Sequence, residues 1–134
     1  MSGSNKRILV ISDDESVMES LKLILNNEYD LIFIEDAFQA AGLIQSTQGV
    51  GLIFLHVDLQ KVGRKDILAE IKEGVADIPI VMIADYKSVS TAVKALEKGA
   101  CGYISKPFKV EEVFQIVQRQ IKNGQKNPTS IKNL

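Results

Sequence analysis

Residues 7–15 read Arg7-Ile8-Leu9-Val10-Ile11-Ser12-Asp13-Asp14-Glu15: an unbroken apolar run that ends abruptly in acid. A strand with one face in water alternates apolar and polar residues; a continuous run suits a strand covered on both faces, as in a parallel sheet. Four further runs have the same character or nearly so: Leu31-Ile32-Phe33-Ile34, Leu52-Ile53-Phe54-Leu55, Ile78-Pro79-Ile80-Val81-Met82-Ile83 and Cys101-Gly102-Tyr103-Ile104. Their starts lie about 21 to 27 residues apart, the length of a strand, a helix and its return.

Between the runs, apolar residues recur at three- and four-residue spacing, the period of an amphipathic helix. The expected stripes are Val17, Leu21, Ile24 and Leu25; Phe38, Ala41 and Ile44; Ile67, Leu68 and Ile71; Val89, Val93 and Leu96; and Val110, Val113, Phe114, Val117 and Ile121. Asn26-Asn27, Gly49, Gly74, Gly99 and Gly124 follow as stop signals. Five strand–helix units predict an open, doubly wound parallel α/β sheet with helices on both faces.

The chain has 134 residues, enough for one core. Net charge is −1, which gives no footprint for nucleic acid or a membrane surface. No apolar run approaches the ~20 residues of a membrane span. The start of the chain reads without a targeting segment. With a single cysteine, Cys101, no intrachain disulfide can form, which fits a reducing, cytoplasmic setting. Residues 1–6 are expected to be a flexible N-terminus, 7–123 one domain, and 124–134 a polar tail or the start of a linker.

In such sheets, ligands bind beyond the carboxyl ends of the strands. Those ends carry Asp13 and Asp14; His56 and Asp58; Ala84 and Asp85; and Lys106-Pro107. Ser12 with Glu15 fits a capping box, and the acids suit a helix N-terminus. Alternatively, adjacent carboxylates suit a hard cation such as Mg²⁺. No glycine-rich phosphate cradle follows the first strand, so a directly held nucleotide is not expected. The Lys106-Pro107 bond could be cis, and Lys106 could reach the carboxylates.

Taken in order, residues 7–15, 52–59, 78–86 and 98–108 resemble the receiver domain of bacterial response regulators, over about Arg7 to Lys122. The resemblance implies a flavodoxin-like (βα)5 sheet of strand order 2-1-3-4-5. It also implies an acidic pair for Mg²⁺, an aspartate after strand 3 that takes phosphate from a histidine kinase, and a Thr or Ser, an aromatic residue and a Lys that read it. By position Asp13 and Asp14 match the acidic pair. Tyr103 matches the aromatic switch, and Lys106 and Pro107 the Lys-Pro pair. Asp58 falls where the family uses a backbone carbonyl as a metal ligand.

Two positions depart. His56 stands at the phosphoacceptor position and Ala84 at the Thr/Ser position. Gln60 and Arg64 also depart, from a usual Pro and Gly. An imidazole brings no anionic oxygen to Mg²⁺, so at best a weak metal site at Asp13 and Asp14, and no other cofactor, is expected. His56 is expected to hydrogen-bond Asp13 or Asp14; a transition-metal ligand and a phosphorylated histidine are the other readings. Ala84 is expected to leave space for Tyr103 to turn inward.

The reading that follows is a non-enzymatic, receiver-like signalling module of a two-component or phosphorelay system. It would contact a histidine kinase, output domain or other regulator through helix 4, strand 5 and helix 5, with a homodimer as an open option. One alternative is a phosphoaccepting receiver using Asp58 or His56. Another is a metal-dependent hydrolase, disfavoured because there is no second histidine and no Asp-x-Asp after strand 1.

Overall fold

The computed structural model describes residues 6–25, 27–59, 61–62, 65–74 and 77–124. Five strands form one parallel sheet: β1 Arg7–Ile11, β2 Asp30–Ile34, β3 Val50–His56, β4 Ile80–Ala84 and β5 Gly102–Ser105. Their order is β2-β1-β3-β4-β5, the flavodoxin-like arrangement expected. Five helices connect them: α1 Glu15–Leu25, α2 Ala37–Ser46, α3 Ile67–Gly74, α4 Val89–Glu97 and α5 Val110–Gly124. Single 3-10 turns, Val57–Leu59 and Tyr86–Ser88, follow β3 and β4. Gln60, Arg64 and residues 125–134 lie outside the described residues.

The continuous apolar runs are explained by two cores. Leu9, Ile11, Ile53, Leu55, Met82 and Ala84 pack against α2, α3 and α4 on one face. Ile8, Val10, Leu52, Phe54, Val81 and Ile83 pack against α1 and α5 on the other. Alternate residues of each strand serve opposite cores, so none is free to be polar. Every residue of β3 and β4 is buried, whereas the edge strands β2 and β5 are half-exposed. Burying a side chain the size of Phe54 contributes about 1.5–3 kcal/mol.

Helix stripes were read correctly where large residues face inward. Ile67, Leu68 and Ile71 of α3 are buried, as are Val17, Leu21 and Leu25 of α1 and Val113, Val117 and Ile121 of α5. Two stripes are rotated. In α2 the buried residues are Ala37, Ala40 and Ile44, while Phe38 is 55% exposed. In α4 they are Ala92 and Ala95, with Val93 and Leu96 turned outward. Alanines carry most of the inner face of both helices, so hydrophobic size alone points to the wrong side.

Gly99 ends α4 with φ of 116°, a conformation that L side chains rarely adopt, and a Cβ there would meet Lys72 Cε at 2.8 Å. A side chain at this turn into β5 would strain the backbone, whereas the lysine tip could move aside.

Candidate functional site

The parallel register brings four strand ends together. β1 and β3 pair through Ile11 and Leu55, β3 and β4 through His56 and Ile83, and β4 and β5 through Ala84 and Ser105. The backbone N–H of Lys106 donates to the Ala84 carbonyl at 2.8 Å, and the Lys106-Pro107 bond is cis.

Asp14 is the hub of one cluster. Lys106 Nζ donates to its Oδ2 at 2.7 Å. Its Oδ1 accepts from the Ser16 N–H at 2.9 Å and from the Ser16 hydroxyl at 2.7 Å. The lysine first, and then Ser16, holds this carboxyl well below the ordinary value of 3.8. Asp14 thus caps α1, which corrects the expected capping box of Ser12 with Glu15. Asp13 is exposed and lies outside this network.

A lowered folded-state value means that the carboxylate stabilises the fold above the unfolded value, and that this stability is lost as pH falls through the folded value. Both partners are about 30% exposed, so solvent screening limits the pair to about 1 kcal/mol. We expect Lys106→Met to lose that amount near neutrality and to show a flatter decline below pH 4, read by thermal melts across an acid series.

His56 forms a second, buried cluster. The ring is 3% exposed, and its Nδ1 lies 3.2 Å from the hydroxyl of fully buried Ser12. Ser12 Oγ also accepts the Asp14 N–H at 3.1 Å. The Ser12 hydroxyl donates to Nδ1 or accepts from it according to the ring tautomer, and Nε2 faces Asp58 Oδ2 at 3.7 Å. The expected hydrogen bond from His56 to Asp13 or Asp14 is therefore replaced by one to Ser12, with Asp58 as the nearest carboxylate. Asp58 itself is largely exposed.

Ser12 and Asp85 were noted at the strand ends, but their roles in the structure were not foreseen. Strand alternation carries the signal for Ser12: it stands one rung beyond Ile11, on the same face as His56 one rung beyond Leu55. Asp85 and Ser88 form a reciprocal cap at the end of β4, with the Asp85 side chain accepting from the N–H groups of Lys87 and Ser88. Partial desolvation opposes ionisation of Asp85. The Ser88 hydroxyl, those N–H groups and the nearby Lys106 charge outweigh it and lower the carboxyl's pKa.

Ala84 is fully buried, and Tyr103 is 37% exposed. The tyrosine has not turned inward over the alanine, contrary to expectation; β5 is an edge strand, and its alternation directs Ile104 into the core instead.

The donor set is a poor match for Mg²⁺. Both Asp14 oxygens are engaged by cation or hydrogen-bond donors, and an imidazole occupies the place of a carboxylate. Among the described residues, no group of three or more His, Cys, Asp or Glu is placed to hold a metal. Nor, among them, is any helix long and apolar enough to cross a membrane.

The family model for the response regulator receiver domain matches residues 8–118. A response regulator, MprA of Mycobacterium avium, is 33% identical over 109 residues, which cover 81% of this chain and 47% of that protein. The chain thus spans about half the length of the curated relatives it matches. The crystal structure of the receiver domain of NtrX from Brucella abortus superposes with a TM-score of 0.77 at 30% identity, covering 86% of this chain and 98% of that one. The signal receiver domain of an HD domain-containing protein from Pseudomonas fluorescens shares the fold, with a TM-score of 0.80 at 21% identity over 100% of this chain and 97% of that one. Such domains work with histidine kinases and output domains. The chain belongs to the response regulator receiver domain family, whose members are signalling modules rather than enzymes.

Proposed function

We propose that this receiver transmits signals by protein contact, without accepting phosphate in the usual way. The observation that carries this reading is the buried imidazole of His56 at the phosphoacceptor position, hydrogen-bonded to Ser12. No carboxylate is presented there for an acyl phosphate. Ala84 offers no hydroxyl to grip a phosphoryl group, and Lys106 is already held by Asp14. Mg²⁺ binding at Asp13 and Asp14 is weak or absent on this reading, and no other cofactor is needed.

The contact surface is α4, β5 and α5. Val93, Leu96 and Tyr103 expose apolar surface there, at 43%, 37% and 37%. The partner is a histidine kinase, an output domain or another regulator in the cytoplasm. A domain of net charge −1 has no general attraction for nucleic acid or a membrane. Val93→Glu and Leu96→Glu are expected to leave stability within about 0.5 kcal/mol each, because both residues already meet water. Loss of several kcal/mol in denaturant melts would instead place them in a core.

Incubation with acetyl phosphate and Mg²⁺, followed by intact mass, tests the central statement. Unchanged mass is expected. A second reading stands on Asp58, whose exposed carboxylate lies beside the His56 ring. An adduct mapped to Asp58 or His56 would establish that reading in place of the first.

A further inference from the structure

Among the described α-helices, α2 stands apart. Its ten residues, Ala37–Ser46, include no charged side chain, whereas α1, α3, α4 and α5 all carry charge. With Ala37, Ala40 and Ile44 turned into the core, the exposed positions are Phe38, Gln39, Gly42, Leu43, Gln45 and Ser46. Phe38 is 55% and Leu43 41% exposed. Gly42 stands at the centre of this face. A Cβ built on it meets nothing within 4 Å, so nothing inside the molecule requires glycine. Glycine within a helix is nonetheless less favourable than alanine. A second backbone crossing at Gly42 would supply the missing reason, because the separation of two packed helices is set by the side chains at their contact.

The ends of the helix bear opposite charge. Exposed Glu35 precedes α2, as does Asp36, whose side chain caps it. At the other end the Gln48 carbonyl accepts from Arg7 Nη1 at 2.8 Å, Asp30 pairs with Arg7 at 2.9 Å, and exposed Lys6, lining the same depression, leaves that end with one net positive charge. An antiparallel pair of α2 helices therefore sets the acidic end of each against the basic end of the other. The neutral middle meets itself without like-charge repulsion, which a two-fold contact would otherwise impose. A foreign partner would gain nothing from this symmetry.

We propose that α2 is a self-association surface, on which two copies pair antiparallel about a two-fold axis passing near Gly42. A ten-residue helix is about 15 Å long. It covers less than the ~800 Å² per partner of a standard interface, so the dimer is weak, with a dissociation constant on the order of 10⁻⁵–10⁻⁴ M. This surface is separate from α4, β5 and α5, and it stands or falls independently of whether His56 accepts phosphate.

Sedimentation velocity on the full chain from ~10 µM to ~1 mM tests it. Wild type is expected to shift from monomer to dimer over that range. Leu43→Lys should weaken association about tenfold or more. Gly42→Ala separates interface from fold: its methyl enters open space, so the melting temperature should rise while association weakens. Glu35→Lys and Lys6→Glu should each weaken the dimer, and the double variant should recover it. Val93→Glu should leave association unchanged. A monomer at every concentration, an association indifferent to Leu43→Lys and Gly42→Ala, one abolished by Val93→Glu, or a double variant that fails to recover would overturn the proposal.

Discussion

His56→Asp is expected to bind Mg²⁺ at least ten times more tightly than wild type and to take a phosphoryl group from acetyl phosphate. The substitution places a third carboxylate beside Asp13 and Asp14, taking the group of these residues with Lys106 from one formal negative charge to two. A unit charge pair at 4 Å is worth about 4 kcal/mol at an effective dielectric of 20, and a divalent ion doubles the charge involved. Desolvation and competition from Lys106 for Asp14 take back a large part, yet each remaining 1.4 kcal/mol is a factor of ten. Crowded carboxylates should also make the variant less stable than wild type without metal. Its melting temperature should then climb with Mg²⁺, as ligand linkage requires, while that of wild type stays flat. A variant as indifferent to Mg²⁺ and acetyl phosphate as the parent would mean that His56 is not what silences the pocket.

Ser12→Ala should cost about 1–3 kcal/mol, although it removes a single oxygen. That oxygen accepts the Asp14 N–H and faces His56 Nδ1, and both Ser12 and His56 are buried. Taking it away leaves an unsatisfied donor and an unsatisfied ring nitrogen, whose desolvation then goes uncompensated. For a domain of this size the melting temperature should fall by roughly 3–15 °C. Ser16→Ala, by contrast, removes a bond on an exposed helix end and should cost under about 1 kcal/mol. If the two substitutions prove equally mild in denaturant melts, the Ser12–His56 bond does not anchor the pocket.

The strands were legible because burial on both faces leaves a signature of its own, with no polar residue interrupting Leu52-Ile53-Phe54-Leu55, whereas their order came from the resemblance to receiver domains. The helices were less legible where alanine does the packing. In α2 and α4 the largest apolar residues look outward, and hydrophobic size pointed to the wrong face. The same departures mark the two surfaces proposed for contact, where Leu43, Val93 and Leu96 meet water while alanines face the core.

At the site, residue types and order located the pocket and the reach of Lys106 to the acidic pair, but not the partner of His56. Lys106 meets Asp14 as expected, and Asp14 caps α1 through Ser16 rather than leaving that role to Ser12 with Glu15. His56 was assigned to a carboxylate by charge, whereas strand parity places it opposite Ser12. Charge attracts at any angle, but the pleat admits only one face, and geometry decides between partners of similar strength.

The most direct measurement is a Mg²⁺ titration of the wild-type protein followed through the backbone amide resonances of Ser12, Asp13, Asp14 and His56. A pocket whose cation is Lys106 and whose phosphoacceptor place is filled by imidazole should show only small, non-saturating shifts up to millimolar Mg²⁺. Saturable shifts at these four residues with micromolar affinity would contradict the account at its root.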